Sequence, residues 1–101
     1  MDELIKKVIA WGEPKGLTKE RSLLESWPQY EKVKEEVGEI GKAIAHGDFV
    51  ELVDGIGDSV VTLILLAKQN GLTIEDCLSH AYNEIKDRTG KTINGKFIKD
   101  A

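Results

Sequence analysis

The stretch Val60-Val61-Thr62-Leu63-Ile64-Leu65-Leu66-Ala67 is apolar nearly all round. It is far short of the roughly 20 residues that span a bilayer. It continues a segment opened by Asp48, a residue type that caps helices. The whole reads as one helix from Asp48 to about Asn70, with Gly71 beyond its end. A helix that is apolar on every side is buried on most sides. A chain of 101 residues has room for one core. The helix therefore belongs at the centre of a single domain, 1–101, or at an interface with a second copy.

Helical periodicity accounts for most of the remaining chain. Asp2 to Trp11 places Leu4, Ile5, Val8 and Ile9 on one face, and Gly12 with Pro14 ends the pattern. Gly12 to Ser26 has no clean period and reads as a loop with a short helical turn around Glu20 to Glu25. A second helix starts near Ser26 or Pro28, carries Tyr30, Val33, Val37, Ile40 and Ile44 as its stripe, and stops at Gly47. Gly38 and Gly41 inside it each cost about 1 kcal/mol relative to Ala, which predicts close approach of another backbone or a ligand. Thr73 caps a fourth helix with Leu78, Ala81, Tyr82 and Ile85 on its apolar face and Gly90 at its end. In the tail, Asn94-Gly95 separates two short β-prone runs, the strongest short-range hairpin signal. The expected fold is all-α: about four helices in an antiparallel bundle with a small C-terminal β-hairpin, completed by dimerisation.

Charge and composition narrow the function classes. The formal net charge is -4, which argues against binding a nucleic-acid backbone. The lone Cys77 excludes a disulfide within the chain and speaks against a thiolate zinc site. Met1-Asp2-Glu3 carries no basic region ahead of a long apolar stretch, so no signal peptide is expected. These features lead to the expectation of a cytoplasmic protein with neither membrane nor nucleic acid as partner. Cys77 and His80 lie three apart on one helix, but a lone cysteine is more often a small buried hydrophobe than a nucleophile. Neither common Gly-rich phosphate loop occurs.

The informative feature is the placement of carboxylates. Glu35, Glu36 and Glu39 are neighbours on the second helix, where like charges at such spacing are mildly destabilising. Glu51, Asp54 and Asp58 fall at i, i+3 and i+7 on the third helix, with no basic residue between Asp48 and Ala67. Asp58 abuts the apolar run, and burial there would require a proton, a partner or a metal. Two acidic helices joined by a short turn pack as an antiparallel pair and bring these side chains together. Hard oxygen donors without His or Cys suit Mg²⁺ or Mn²⁺. An ordinary solvated acidic face is the alternative reading of the same residues.

Lys32-Val-Lys-Glu35-Glu36-Val-Gly-Glu39-Ile resembles the Glu-Glu-x-x-Glu motif of the MazG-like nucleotide pyrophosphohydrolases, the all-α NTP pyrophosphatase superfamily. The family's second motif, Glu-x-x-Asp, is matched literally by Glu51-Leu-Val-Asp54. Asp58, in Ile56-Gly57-Asp58, matches it by position before the apolar stretch. The resemblance runs from about Trp11 to Arg88. It implies Mg²⁺-dependent hydrolysis of a nucleoside triphosphate, often a deoxynucleotide, to a monophosphate and pyrophosphate, with Mn²⁺ as a substitute metal. It implies Glu36, Glu39 and Asp58 as ligands, then Asp54, with Glu51 the weakest. Glu35 is a ligand or the base that orients water. Lys32 would meet a phosphate, and Asn83, Lys86 and Arg88 match late polar positions of the family. Trp11 and Trp27 are candidates to stack on a base, with packing as the competing role. The family's members are typically dimers or dimers of dimers. The rival reading is a catalytically degenerate helical module that binds a protein partner.

Overall fold

The computed structural model describes residues 2–101. Four helices run in sequence: α1 (Asp2–Gly12), α2 (Trp27–His46), α3 (Phe49–Gln69) and α4 (Ile74–Ile85). A hairpin of β1 (Gly90–Ile93) and β2 (Lys96–Lys99) ends the chain. Its turn places Asn94 and Gly95 at φ 51° and 78°, the paired left-handed conformation that such a two-residue loop demands. The all-α fold with a terminal hairpin is therefore the observed one. No helix among the described residues is long and apolar enough to cross a membrane.

The centre of the fold is the antiparallel pair α2 and α3. Gly47, at φ 64°, closes α2 with its N–H on the carbonyl of Ile44. The Asp48 carboxylate then accepts from the N–H of Glu51 at 3.0 Å and starts α3. The reversal takes two residues, so the helices lie side by side. They pack tightly at Gly55, where a Cβ would stand 3.1 Å from Cγ1 of Ile40 and 3.5 Å from its backbone nitrogen. Gly38 and Gly41, expected to serve this purpose, face open space instead. They lie away from the α3-facing stripe of Val33, Ile40 and Ala43.

The buried apolar residues are Ile5 from α1, Val33 and Ala43 from α2, and Ile64, Leu65 and Ala67 from α3. The third helix thus supplies half of the core. Within the single chain its burial is one-sided: Val60 and Leu63 stay exposed. No residue of α4 is buried, and this helix packs mainly on α3. It ends at Ile85, earlier than Gly90, because Lys86-Asp87-Arg88 offers no apolar side chain and Gly90 is already paired with Lys99. The helical turn expected around Glu20 to Glu25 lies at Leu24–Ser26, and another follows α1 at Glu13–Lys15.

The connecting loop is tied to the far end of α3. Arg21 N–H donates to the carbonyl of Gln69 at 2.8 Å, and the Gln69 side-chain amide donates to Leu17 O at 3.0 Å. Asn70 Nδ2 donates to Ser26 Oγ at 3.1 Å. Leu17 is thereby held beside Trp11 and the end of α2.

Candidate functional site

The register of the central pair decides which carboxylates meet. With Ile40 opposite Gly55, four residues back along α2 correspond to four residues forward along α3. Glu36 therefore stands level with Asp58 and Ser59, and Glu39 with Ile56. On α3, Glu51, Asp54 and Asp58 continue as one stripe into Val61 and Leu65. On α2, Gln29, Lys32 and Glu36 share a face at spacings of three and four.

A cleft of about 390 Å³ opens between these two stripes. From α2 it is lined by Gln29, Lys32 and Glu36, and from α3 by Asp58, Val61, Thr62 and Leu65. Trp11 and Leu17 form its remaining wall. A second hollow of about 330 Å³ lies on the other side of Trp11, where Leu4, Lys7 and Val8 of α1 face the same Asp58 and Val61. One end of the cleft is charged and the other is apolar.

Lys32 holds the charged end together. Its ammonium lies 3.3 Å from Glu35 and 3.4 Å from Glu36. The hydrogen bonds to Glu35 and then Glu36 raise its pKa above the ordinary lysine value, so it stays cationic at neutral pH. The Glu36 side chain is 17% exposed, against 62% for Glu35. Asp58 is exposed on the cleft side. It is not buried within the single chain, because the buried stripe of α3 runs through Gly55, Ser59 and Thr62 and Asp58 lies beside it.

The other expected site residues are more scattered. Glu39 is exposed and paired with Lys42 at 3.3 Å. Asp54 and Glu51 are exposed one and two turns before Asp58. Asn83, Lys86 and Arg88 do not line the cleft; Arg88 borders a separate hollow with Ile85 and Phe97. Trp27 packs edge-on against Tyr30 with ring centroids 4.9 Å apart, away from the cleft, whereas Trp11 lines it. Cys77 is exposed, not buried, and His80 pairs with Glu84 at 3.1 Å. Among the described residues, no three acidic, histidine or cysteine side chains converge closely enough to enclose a metal ion. Glu36 and Asp58 are nevertheless hard oxygen donors on opposed helices, with no His or Cys beside them, a donor set that fits Mg²⁺ or Mn²⁺.

The family model of the MazG nucleotide pyrophosphohydrolase domain matches residues 29–92, well over half of the chain. The chain belongs to the MazG family. The match includes Gln29, Lys32, Glu36 and Asp58, while Trp11 and Leu17 lie outside it. A protein of Haemophilus phage HP1 (strain HP1c1), described as an uncharacterized 18.2 kDa protein in the rep-hol intergenic region, is 33% identical over 70 residues. The aligned part is 69% of this chain and 41% of the phage protein, so the MazG chain spans less than half of that relative. No solved structure matches.

Five residues of the cleft lining were not expected as site residues: Leu17, Gln29, Val61, Thr62 and Leu65, and Lys7 of the adjoining hollow was not expected either. Gln29 carried a usable signal, since it precedes Lys32 by three and Glu36 by seven. Leu17 carried none, because a long-range bond from Gln69 sets its position.

Proposed function

We propose that this MazG domain hydrolyses nucleoside triphosphates, with a preference for deoxynucleotides, to a monophosphate and pyrophosphate. The observation that carries the reading is the meeting of Glu36, Asp58 and Lys32 at one end of a cleft whose other end is apolar. A triphosphate has matching ends.

Glu36 and Asp58 are the residues best placed to hold Mg²⁺, with Glu39, Asp54 and Glu51 on the adjoining turns as further donors. Bound there, the ion would offset phosphate charge and lower the pKa of the attacking water. Lys32 exchanges a carboxylate partner for a phosphate oxygen. Glu35, the most exposed partner of Lys32, orients the water and accepts its proton. The water oxygen adds to phosphorus, the α–β bridging P–O bond breaks, and its electron pair leaves with the departing phosphate group. Trp11 offers a ring face to the base. Asn83, Lys86 and Arg88 reach nucleotide only across a contact between subunits. The exposed stripes of α3 (Val53, Ile56, Val60, Leu63) and α4 (Leu78, Tyr82, Ile85) support a dimer or a dimer of dimers. The acidic balance and lone cysteine favour free cytoplasmic nucleotides as substrates over nucleic acid or a membrane.

The test is pyrophosphate release from the ordinary and deoxy nucleoside triphosphates, with Mg²⁺ and with EDTA. Metal-dependent pyrophosphate and monophosphate are expected. Orthophosphate without pyrophosphate would refute the bond assignment. No product in a folded sample indifferent to Mg²⁺ would favour the partner-binding module.

A further inference from the structure

We propose that Gln29 is a specificity-determining residue, whose side-chain amide reads the hydrogen-bonding edge of the nucleobase. The inference rests on the proposed nucleotide site and extends it to base selection.

Gln29 is 8% exposed yet lines the cleft. Its Nε2 donates to the carbonyl of Thr62 at 3.1 Å. A carbonyl can only accept, so this bond fixes which end of the amide is nitrogen. Its Oε1 accepts from Gln69 Nε2 at 3.5 Å, the outer limit of a hydrogen bond. An amide can make four hydrogen bonds. One N–H and one oxygen lone pair therefore remain, a donor and an acceptor side by side.

The fold uses only part of this amide. Thr62 O already accepts within α3, where each carbonyl bonds the N–H four residues on. Gln69 donates one N–H to Leu17 O at 3.0 Å, and its second, on a side chain 3% exposed, has Gln29 Oε1 at 3.5 Å. Among the described residues, nothing takes the second N–H of Gln29 or the second lone pair of its oxygen. A polar side chain that lines a cleft with hydrogen-bonding capacity unspent calls for another role.

Its place along α2 supplies one. Seven residues at 1.5 Å each put Gln29 roughly 10 Å from Glu36 along the helix axis. That separation is about the reach from a phosphate through a sugar to the polar edge of a base. By the register of the helices Leu65 stands level with the Gln29 end, and with Trp11 it offers apolar wall for a flat ring. Each base offers a different arrangement of donors and acceptors, so a fixed donor–acceptor pair at the closed end discriminates among them.

Gln29→Met preserves length and volume and removes the amide. Its kcat/KM for pyrophosphate release from the four deoxynucleoside triphosphates should show the ratio between best and worst substrate reduced at least about tenfold. An equal loss on all four would mean a structural amide and overturn the inference, while wild-type turnover left the proposed reaction intact. Wild-type protein inactive on every nucleotide would sink both. A second measurement uses the native chain. The Gln29 side-chain amide resonances should shift on titration with the four deoxynucleoside monophosphates and Mg²⁺, by amounts that depend on the base. Resonances unmoved by all four, or moved alike, would overturn the assignment even if Gln29→Met fails to fold.

Discussion

Replacing Glu36 by glutamine separates the metal reading from the solvated-face reading. The substitution keeps the side chain's size and a comparable helix propensity. Lys32 retains Glu35 at 3.3 Å, so the exposed lysine is not orphaned. Glu36 and Glu39 are like charges at i, i+3, and removing one relieves a repulsion of a few tenths of a kcal/mol. At about 4–8 °C per kcal/mol for a domain of this size, the metal-free Tm should move by no more than about 4 °C. With Mg²⁺ at ten times its Kd, binding to the folded state adds about RT ln 11, or about 1.4 kcal/mol, and raises the wild-type Tm by about 6–11 °C. The variant should lose most of that rise. Its pyrophosphate release should fall at least about 100-fold, the scale seen when a charge-stabilising group leaves an active site. Thermal melts with Mg²⁺ and with EDTA, run beside the turnover assay, read both quantities. A variant that keeps the full magnesium shift would refute Glu36 as a ligand. A wild-type protein with no shift at saturating Mg²⁺ would refute the metal site itself.

Four further outcomes follow from the same geometry. Leu65 is 2% exposed and packs against Gly12, so Leu65→Ala should cost about 3 kcal/mol and lower the Tm by about 12–24 °C in a thermal melt. Asp48→Ala removes the cap on the Glu51 N–H and should cost about 1 kcal/mol in a denaturant titration, with Asp48→Asn restoring most of it. Lys32→Met should raise the KM for triphosphate about tenfold with a smaller change in kcat, as expected for a contact made alike in ground and transition states; unchanged KM would remove Lys32 from the phosphate site. The Ser22 N–H and hydroxyl lower the Glu25 pKa, so the stability this carboxylate contributes is present above its unfolded pKa and lost as pH falls through the folded value. Glu25→Gln should accordingly flatten the acid side of the stability–pH curve, and an unaltered acid limb would show the turn to be unimportant.

Local signals were legible in the sequence, and long-range ones were not. Gly47 and Asp48 marked the α2–α3 reversal because a left-handed stop and a capping carboxylate are written in residue type. Asn94-Gly95 did the same for the hairpin. The glycines were harder to interpret. A missing Cβ in mid-helix signals close approach without saying against what, and the structure assigns that role to Gly55, while Gly38 and Gly41 face open space. The apolar run of α3 foretold burial on most sides, at the centre of the fold or against a second copy. The single chain covers one side of the helix and leaves Val60 and Leu63 bare.

The cleft illustrates the same division. Its charged end could be read from two short motifs, because helical spacing alone aligns Lys32 with Glu36 and Asp58 with the acidic stripe. Its apolar end depends on which α1 residue meets which turn of α3, and on Gln69 drawing Leu17 down beside Trp11. Those contacts cross more of the sequence than any local pattern spans. The family match follows the same boundary, beginning at Gln29 and leaving Trp11 and Leu17 outside. The matched part of the chain therefore carries the acidic cleft residues, and the segment ahead of it completes the wall a base would meet. On the proposed reading, base preference would draw on Gln29, inside the matched region, and on Trp11, outside it.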